Sequence, residues 1–389
     1  MFSITTLQQL MKGLPRAAFD QVVARHKAAK YCKHFKPWNH LIAMVYAQIS
    51  GTPSLRALET SFNAHASHHY HLGTSTLKKS TLCDANDKRS EAVFSETAKM
   101  LMTQVSRKLR QQSDELVYLL DSTSFTLKGK GFDDWTMSTR TRNTQGMKLH
   151  VLYESKSEVP VHFDFSAANV NDIERAWSMP LEPGARYVFD KGYNDYNWWH
   201  KIDQATGLFV TRFKRNASLK VVRQLDIPEQ ASGLILSDEI VEFRTKYPSG
   251  KRVNQYHGQP LRRVTVQRPD KATPIVLATN DFISSALEIA QRYKERWGIE
   301  LFFKWIKQHL KIKHFLGHSE NAVRIQILTA LISYLLVALL HHTNQAKTSL
   351  WNFFCLIRST IFQRPDAEAA AVRRRRETHL ITENQGRLF

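Results

Sequence analysis

Residues 116–121 read LVYLLD and residues 186–190 read RYVFD: two short apolar runs, each closed by an aspartate. A continuous apolar run of this length is the mark of a strand covered on both faces, where no face meets water and no alternation is needed. Between the two runs, Met147–Tyr153 and Val159–Phe165 have strand composition and are joined by a short polar turn. Asp172–Ser178 and Trp198–Thr206 read as helical, and Leu208–Phe213 reads as a fifth strand. Strands first, then strands alternating with helices, imply a mixed α/β sheet. In such sheets ligand and catalytic groups gather beyond the strand ends, which makes Asp121 and Asp190 candidates. Taken singly, a strand-closing aspartate is more often a turn former or a helix cap.

The flanks read differently. Residues 1–105 are helical in pattern, with basic residues between the helices, and suit a small DNA-binding bundle. Thr52-Pro53 looks like an N-cap followed by proline at the first helical position, opening SLRALETSF, and another helix starts near Ser80. Residues 215–280 alternate polar and apolar around turn signals (YPSG at 247–250, HGQP at 257–260) and read as a mostly β insertion. Ser284–Lys311 is strongly helical, and Glu320–His342 is a second long helix. Its apolar stretch Ile325–Leu340 is interrupted by Gln326, Thr329 and Ser333. That falls short of the ~18 uninterrupted apolar residues of a membrane span, so we read a buried helix and a protein that is not in the membrane. The tail from Pro365 through Arg373–Arg376 is polar and charged. The expected division is a helical DNA-binding domain at 1–105, a catalytic domain at 106–345 and a C-terminal helical and basic tail at 346–389.

Across 389 residues, 55 Lys and Arg stand against 35 Asp and Glu, a formal charge of +20. Such a charge concentrates polyanions near the surface; nucleic acid is the leading partner, an anionic membrane surface the competitor. Cys32, Cys83 and Cys355 have no CxxC spacing, which argues against a zinc ribbon or a disulfide framework and fits a reducing cytoplasm. The first residues carry no basic segment followed by an apolar core, so no signal peptide is read.

The helix near 291–311 sharpens the case. With Tyr293 at zero and ~100° per residue, Arg296, Glu300, Lys304 and Lys307 fall in one polar stripe ~80° wide. Ile299, Phe302, Phe303, Ile306 and Leu310 occupy the opposite face, suited to docking on a sheet, and Trp297 borders the stripe. Ordinary ion pairs one turn apart would also produce a charged stripe. A lone acid among cations and aromatic rings is, however, what a face gripping phosphate and holding a metal needs.

Tyr293-x2-Arg296-x3-Glu300-x6-Lys307 resembles the signature of the IS-four family of insertion-sequence DDE transposases. LLDST around Asp121 and VFDKGY around Asp190 are similar to that family's first and second acidic motifs, and SLRALE, HLGTSTL and DANDKR to a helical domain ahead of its core. The resemblance implies an RNase H-like core with a β insertion between the second Asp and the Glu. It also implies that Asp121, Asp190 and Glu300 are catalytic metal ligands for two Mg²⁺ ions, with Mn²⁺ as substitute. Tyr293, Arg296, Lys304 and Lys307 would then contact DNA phosphates at the transposon end. Trp297 resembles a residue that helps distort the terminal base step. Lys191 stands where many relatives carry Arg, which keeps the charge and loses bidentate geometry. The implied activity is cut-and-paste transposition: cleavage at terminal inverted repeats, then strand transfer into target DNA by a homodimer holding two ends. The alternatives are a metal-dependent nuclease without transposition and a non-catalytic basic DNA-binding regulator.

Remaining features read more plainly. His65, His68, His69 and His71 lack acid or Cys co-ligands at site spacing and read as a solvated loop rather than a zinc site. His150 and Lys148 lie on a strand beside the expected site; for His150 a core role and a lining role are equally open. Arg373–Arg376 is a nucleic-acid tail or a solvated charge run.

Overall fold

The computed structural model describes residues 4–110, 115–248, 250, 252–269, 271–310 and 314–364. Packing divides the chain into two compact units, 110–304 and 1–109 with 305–389. This differs from the expected division in one respect of substance: the long apolar helix and the helix after it belong with the N-terminal helices.

In that helical unit the first part of the chain forms α1 (Thr6–Met11), α2 (Arg16–Arg25), α3 (Pro37–Ser50), α4 (Leu55–Asn63), α5 (His69–Leu72), α6 (Lys79–Lys88) and α7 (Ala92–Leu109). The expected start at Thr52-Pro53 is corrected. Ser54 is the N-cap of α4, its extended backbone presenting Oγ to the Ala57 N–H, while the Thr52 hydroxyl turns back to the Ala47 carbonyl and closes α3. The segment after residue 80 breaks between α6 and α7, where Arg89 leaves the helix in an extended conformation and donates to the Phe35 carbonyl. The histidine stretch is not a solvated loop: His69 is buried, stacked on Phe62 and hydrogen-bonded to the Phe62 carbonyl, and His65 and His68 stack on Phe362.

The other unit is built on one nine-stranded sheet. Its first strands are β1 (Val117–Thr126), β2 (Gly146–Glu154), β3 (Val159–Ala167), β4 (Arg186–Phe189) and β5 (Leu208–Arg212). The insertion adds β6 (Leu219–Gln224), β7 (Ile235–Phe243), β8 (Leu261–Arg268) and β9 (Lys271–Thr279). Helices α8 (Asp133–Thr136), α9 (Asp172–Ala176) and α10 (Tyr196–Gln204) fall between the strands. After them come α11 (Ala286–Glu295) and α12 (Trp297–His309), and the chain then returns to the helical unit as α13 (Glu320–Thr343) and α14 (Leu350–Ser359). The strand order is β3-β2-β1-β4-β5-β9-β8-β7-β6. β1, β4 and β5 run parallel, and β1-β2-β3 form an antiparallel meander. This mixed sheet is the expected RNase H-like core. The insertion is β as expected, but it extends the same sheet: β9 pairs antiparallel with β5 and covers an edge that would otherwise stay open.

The apolar run at 117–120 serves both faces. Tyr118 and Leu120 join a cluster with Tyr187, Phe189, Phe209 and the α10 residues Trp198 and Trp199; Phe189 and Trp198 lie 4.8 Å apart edge to face. Leu119 turns the other way, and a Cβ on Gly298 of α12 would stand 3.4 Å from its Cδ1. Phe302 of α12 meets Tyr153 of β2 at 5.0 Å. Ile299, Phe302, Phe303, Ile306 and Leu310 are all buried, as their common face predicts. The predicted single helix over 284–311 is broken in two at Arg296.

Within the helical unit α13 is long and apolar enough to cross a membrane, and 89% of its most apolar window is buried. It packs along α7 and α3, which explains why it reads as apolar all round. Residues 373–376 lie outside the described residues.

Candidate active site

β1 runs on through Thr126, so Asp121 is not at a strand end as expected; it lies mid-strand, opposite Val151 of β2. What ends at Leu120 is the parallel pairing with β4, whose last registered pair is Leu120 with Phe189. Asp121 and Asp190 are each one residue past that pair and so stand side by side at one end of the parallel strands. Burial falls from complete to partial there, so both carboxylates keep some contact with solvent.

Arg296 gathers the acids. One of its nitrogens lies 2.6 Å from Glu300 Oε1, another 3.7 Å from Asp121 Oδ2. Because α12 begins directly after Arg296, Glu300 sits one turn on and reaches the same guanidinium. Asp190 has its own partners: Arg212 approaches Oδ1 with Nε at 3.1 Å and with a second, closer nitrogen, and the Tyr293 hydroxyl donates to Oδ1 at 3.3 Å. The Arg212 and Arg296 guanidiniums stand 6.0 and 5.8 Å from the Tyr293 ring centroid. Three acids from β1, the end of β4 and α12 thus share one cluster with two arginines and a tyrosine.

The electrostatics of the two aspartates diverge. Burial pushes Asp121 up to about 6, with the nearby Glu300 and Asp190 charges adding to the rise and the Ser122 N–H and Arg296 opposing it. Burial acts on Asp190 in the same direction, but hydrogen bonds from Arg212 and the Lys191 N–H outweigh it and hold this carboxyl below the ordinary aspartate range. Burial raises Tyr293 to about 12, so it remains a neutral donor.

The other expected residues fall as follows. Trp297 is 58% exposed beside Arg296, and Lys304 and Lys191 are exposed. Lys307 is half-buried and belongs to the helical unit. His150 is fully buried and bonds Ser166 at 2.8 Å, a core histidine, while Lys148 pairs with Asp172 at 2.9 Å. Sequence reasoning missed Arg212. It closes the third parallel strand as Asp121 and Asp190 follow the paired residues of the first two, a relation that only the strand register exposes.

Three carboxylates with no thiolate or imidazole suit a hard divalent cation. Among the described residues, no three acid, His or Cys side chains are close enough to hold one ion. Arg296 and Arg212 supply the positive charge between the carboxylates instead. The Arg296 Nε is buried with no hydrogen-bond partner among the described residues, a donor left over for an incoming anion.

Residues 112–336 match the transposase DDE domain, and residues 3–75 match a domain of unknown function. A putative transposase of Sinorhizobium fredii is 41% identical over 290 residues, 74% of this chain and 78% of its own length. A probable transposase for an insertion sequence element of Geobacillus stearothermophilus is 28% identical over 238 residues, 60% of this chain and 58% of its own. The piggyBac transposase synaptic complex with hairpin DNA aligns with a TM-score of 0.47 at 11% identity, covering 92% of this chain and 80% of that one. With the family domain spanning more than half of its length, the chain belongs to the insertion-sequence DDE transposases.

Proposed function

We propose that Asp121, Asp190 and Glu300 are the catalytic carboxylates of this transposase. They would hold two Mg²⁺ ions, for which Mn²⁺ substitutes, during cut-and-paste transposition in the cytoplasm at the nucleoid. The carrying observation is that Arg296 reaches both Asp121 and Glu300, although 179 residues separate these two acids in the chain. The family uses divalent metal ions. When bound, such ions stabilise the attacking and leaving oxygens of an in-line displacement at phosphorus.

The chain's own residues prepare that displacement. Arg296 and Arg212 neutralise the carboxylates before DNA arrives. A DNA phosphate then competes for the same guanidiniums, since arginine binds phosphate and carboxylate with the same two-pronged geometry. As arginine turns to phosphate, the carboxylates are released to act as ligands. Tyr293 donates its hydroxyl proton without losing it. Lys191, Lys304 and Lys307 add phosphate contacts, and the exposed Trp297 ring can stack on an unpaired base. Water attack would nick a transposon end; the freed 3′-OH would attack the opposite strand, expelling the flanking DNA and closing the end as a hairpin. A second water would reopen that bond, and the regenerated 3′-OH would attack target DNA.

Glu300→Gln tests the reading. Glutamine keeps helix propensity and can still accept from Arg296, so the fold and the binding of transposon-end DNA persist. Removing one anion beside bound DNA leaves affinity equal or slightly higher. Nicking in Mg²⁺ or Mn²⁺, followed beside a gel shift on the same DNA, should be abolished. Near wild-type nicking by this variant would remove Glu300 from the site and end the carboxylate assignment.

A further inference from the structure

From Gln21 to Leu58 the chain contains no Asp or Glu. Within that span, the loop joining α2 to α3 places a lysine at every third residue: Lys27, Lys30, Lys33 and Lys36, all exposed. Among the described residues none of the four has an acidic partner, whereas their neighbours Arg25 and His26 are both paired with Glu96. Tyr31 stands between them 89% exposed, with the Lys30 ammonium 5.0 Å from its ring centroid.

The loop is ordered by its own bonds. Lys27 donates its backbone N–H to Ala24, Ala28 to Val23, Lys30 to Lys27 and Cys32 to Ala29. Phe35 is buried under the Arg89 guanidinium, 5.1 Å from its ring centroid, and pins the far end. Lys27 and Tyr31 have positive φ, 50° and 63°, which costs free energy in a non-glycine residue and persists only where surrounding contacts hold it. A row of unpaired cations on a pre-organised backbone loses little entropy on meeting an extended polyanion.

We propose that the 26–36 loop, in the segment matching a domain of unknown function, grips the DNA backbone with its four lysines and lays the Tyr31 ring against a base or sugar. The inference rests on the reading of the chain as acting on DNA, but it concerns the helical unit and not the carboxylate site. An anionic lipid surface would also attract lysines. DNA is favoured because this enzyme acts on it and because a single exposed tyrosine offers a stacking face rather than an apolar surface to bury.

The test is fluorescence anisotropy of labelled transposon-end duplex with the full chain in EDTA, so that binding is read without cleavage, across a salt series. Replacing Lys27, Lys30, Lys33 and Lys36 together by Gln should lower the slope of log affinity against log salt by about 3.6. Lys27→Gln with Lys30→Gln alone should lower it by about 2, which keeps the test alive if the fourfold variant folds poorly. Tyr31→Ala should weaken binding by about 5- to 10-fold with the slope unchanged, and Tyr31→Phe should restore it. Unchanged slope and affinity in both lysine variants would overturn the proposal. So would loss of binding to phosphatidylserine vesicles with DNA binding intact. Because no metal is present, these outcomes are independent of whether Glu300→Gln nicks DNA.

Discussion

Asp121 carries an electrostatic cost that can be measured without DNA. Its carboxyl is pushed up to about 6 from 3.8, chiefly by burial. A raised folded-state value means the folded protein binds the proton more tightly than the unfolded chain. That contribution to stability is fully present below about pH 3.8 and is lost as pH rises through about 6. The metal-free protein at pH 8 therefore bears a cost of about 2–3 kcal/mol at this residue. Asp121→Asn, which mimics the protonated form, should raise the Tm at pH 8 in EDTA, with the gain fading near pH 4. Mg²⁺ should raise the Tm of the parent and leave the variant unmoved. Equal Tm shifts with Mg²⁺ in both proteins would separate Asp121 from metal binding.

At the scale of elements, the hairpin of β1 and β2 holds Asp121 in place, and its closing residue tolerates nothing larger than glycine. Gly146 has φ of +138°, and a Cβ there would lie 2.3 Å from the Phe125 carbonyl oxygen. The obstacle is backbone, so no rotamer change relieves it. Gly146→Ala should cost on the order of 2–4 kcal/mol, visible as a lower urea midpoint. A midpoint equal to the parent's would show that the hairpin can shift freely and does not position the site. The break between α11 and α12 is the other element-scale device. A straight helix through 296 would carry Tyr293, Arg296 and Glu300 in a single stripe. The break instead falls at Arg296, whose guanidinium reaches acids on both α12 and β1.

For the whole molecule, a charge of +20 makes DNA association strongly salt-dependent but says nothing of stoichiometry. Coordinated cutting of a mobile element needs both ends held together, and we expect two copies of the chain to pair them. Nicking of a single-end substrate should then rise with the square of the concentration of the protein–DNA complex when that complex is dilute. Strictly first-order nicking, independent of concentration, would show that one copy on one end suffices.

Much of this protein was legible in its residues, because local patterns carried the information. The apolar run before Asp121, the periodic apolar face of α12 and the Tyr–Arg–Glu–Lys spacing specify elements and chemistry without reference to distant parts of the chain. Packing alone set the rest. Nothing local shows that Arg212 will meet Asp190, because the meeting depends on the parallel register of β4 and β5. Nothing in residues 215–280 shows that they extend the core sheet, because edge pairing is decided by which edge is open. Ser54 rather than Thr52 caps α4 because the backbone at Ser54 is extended, a matter of dihedral angles, not of residue type. His69, polar in any composition count, is buried because Phe62 offers both a ring to stack on and a carbonyl to bond. Composition and period state what each segment can do alone; strand register and the partners available at close range decide which of those possibilities the folded chain adopts.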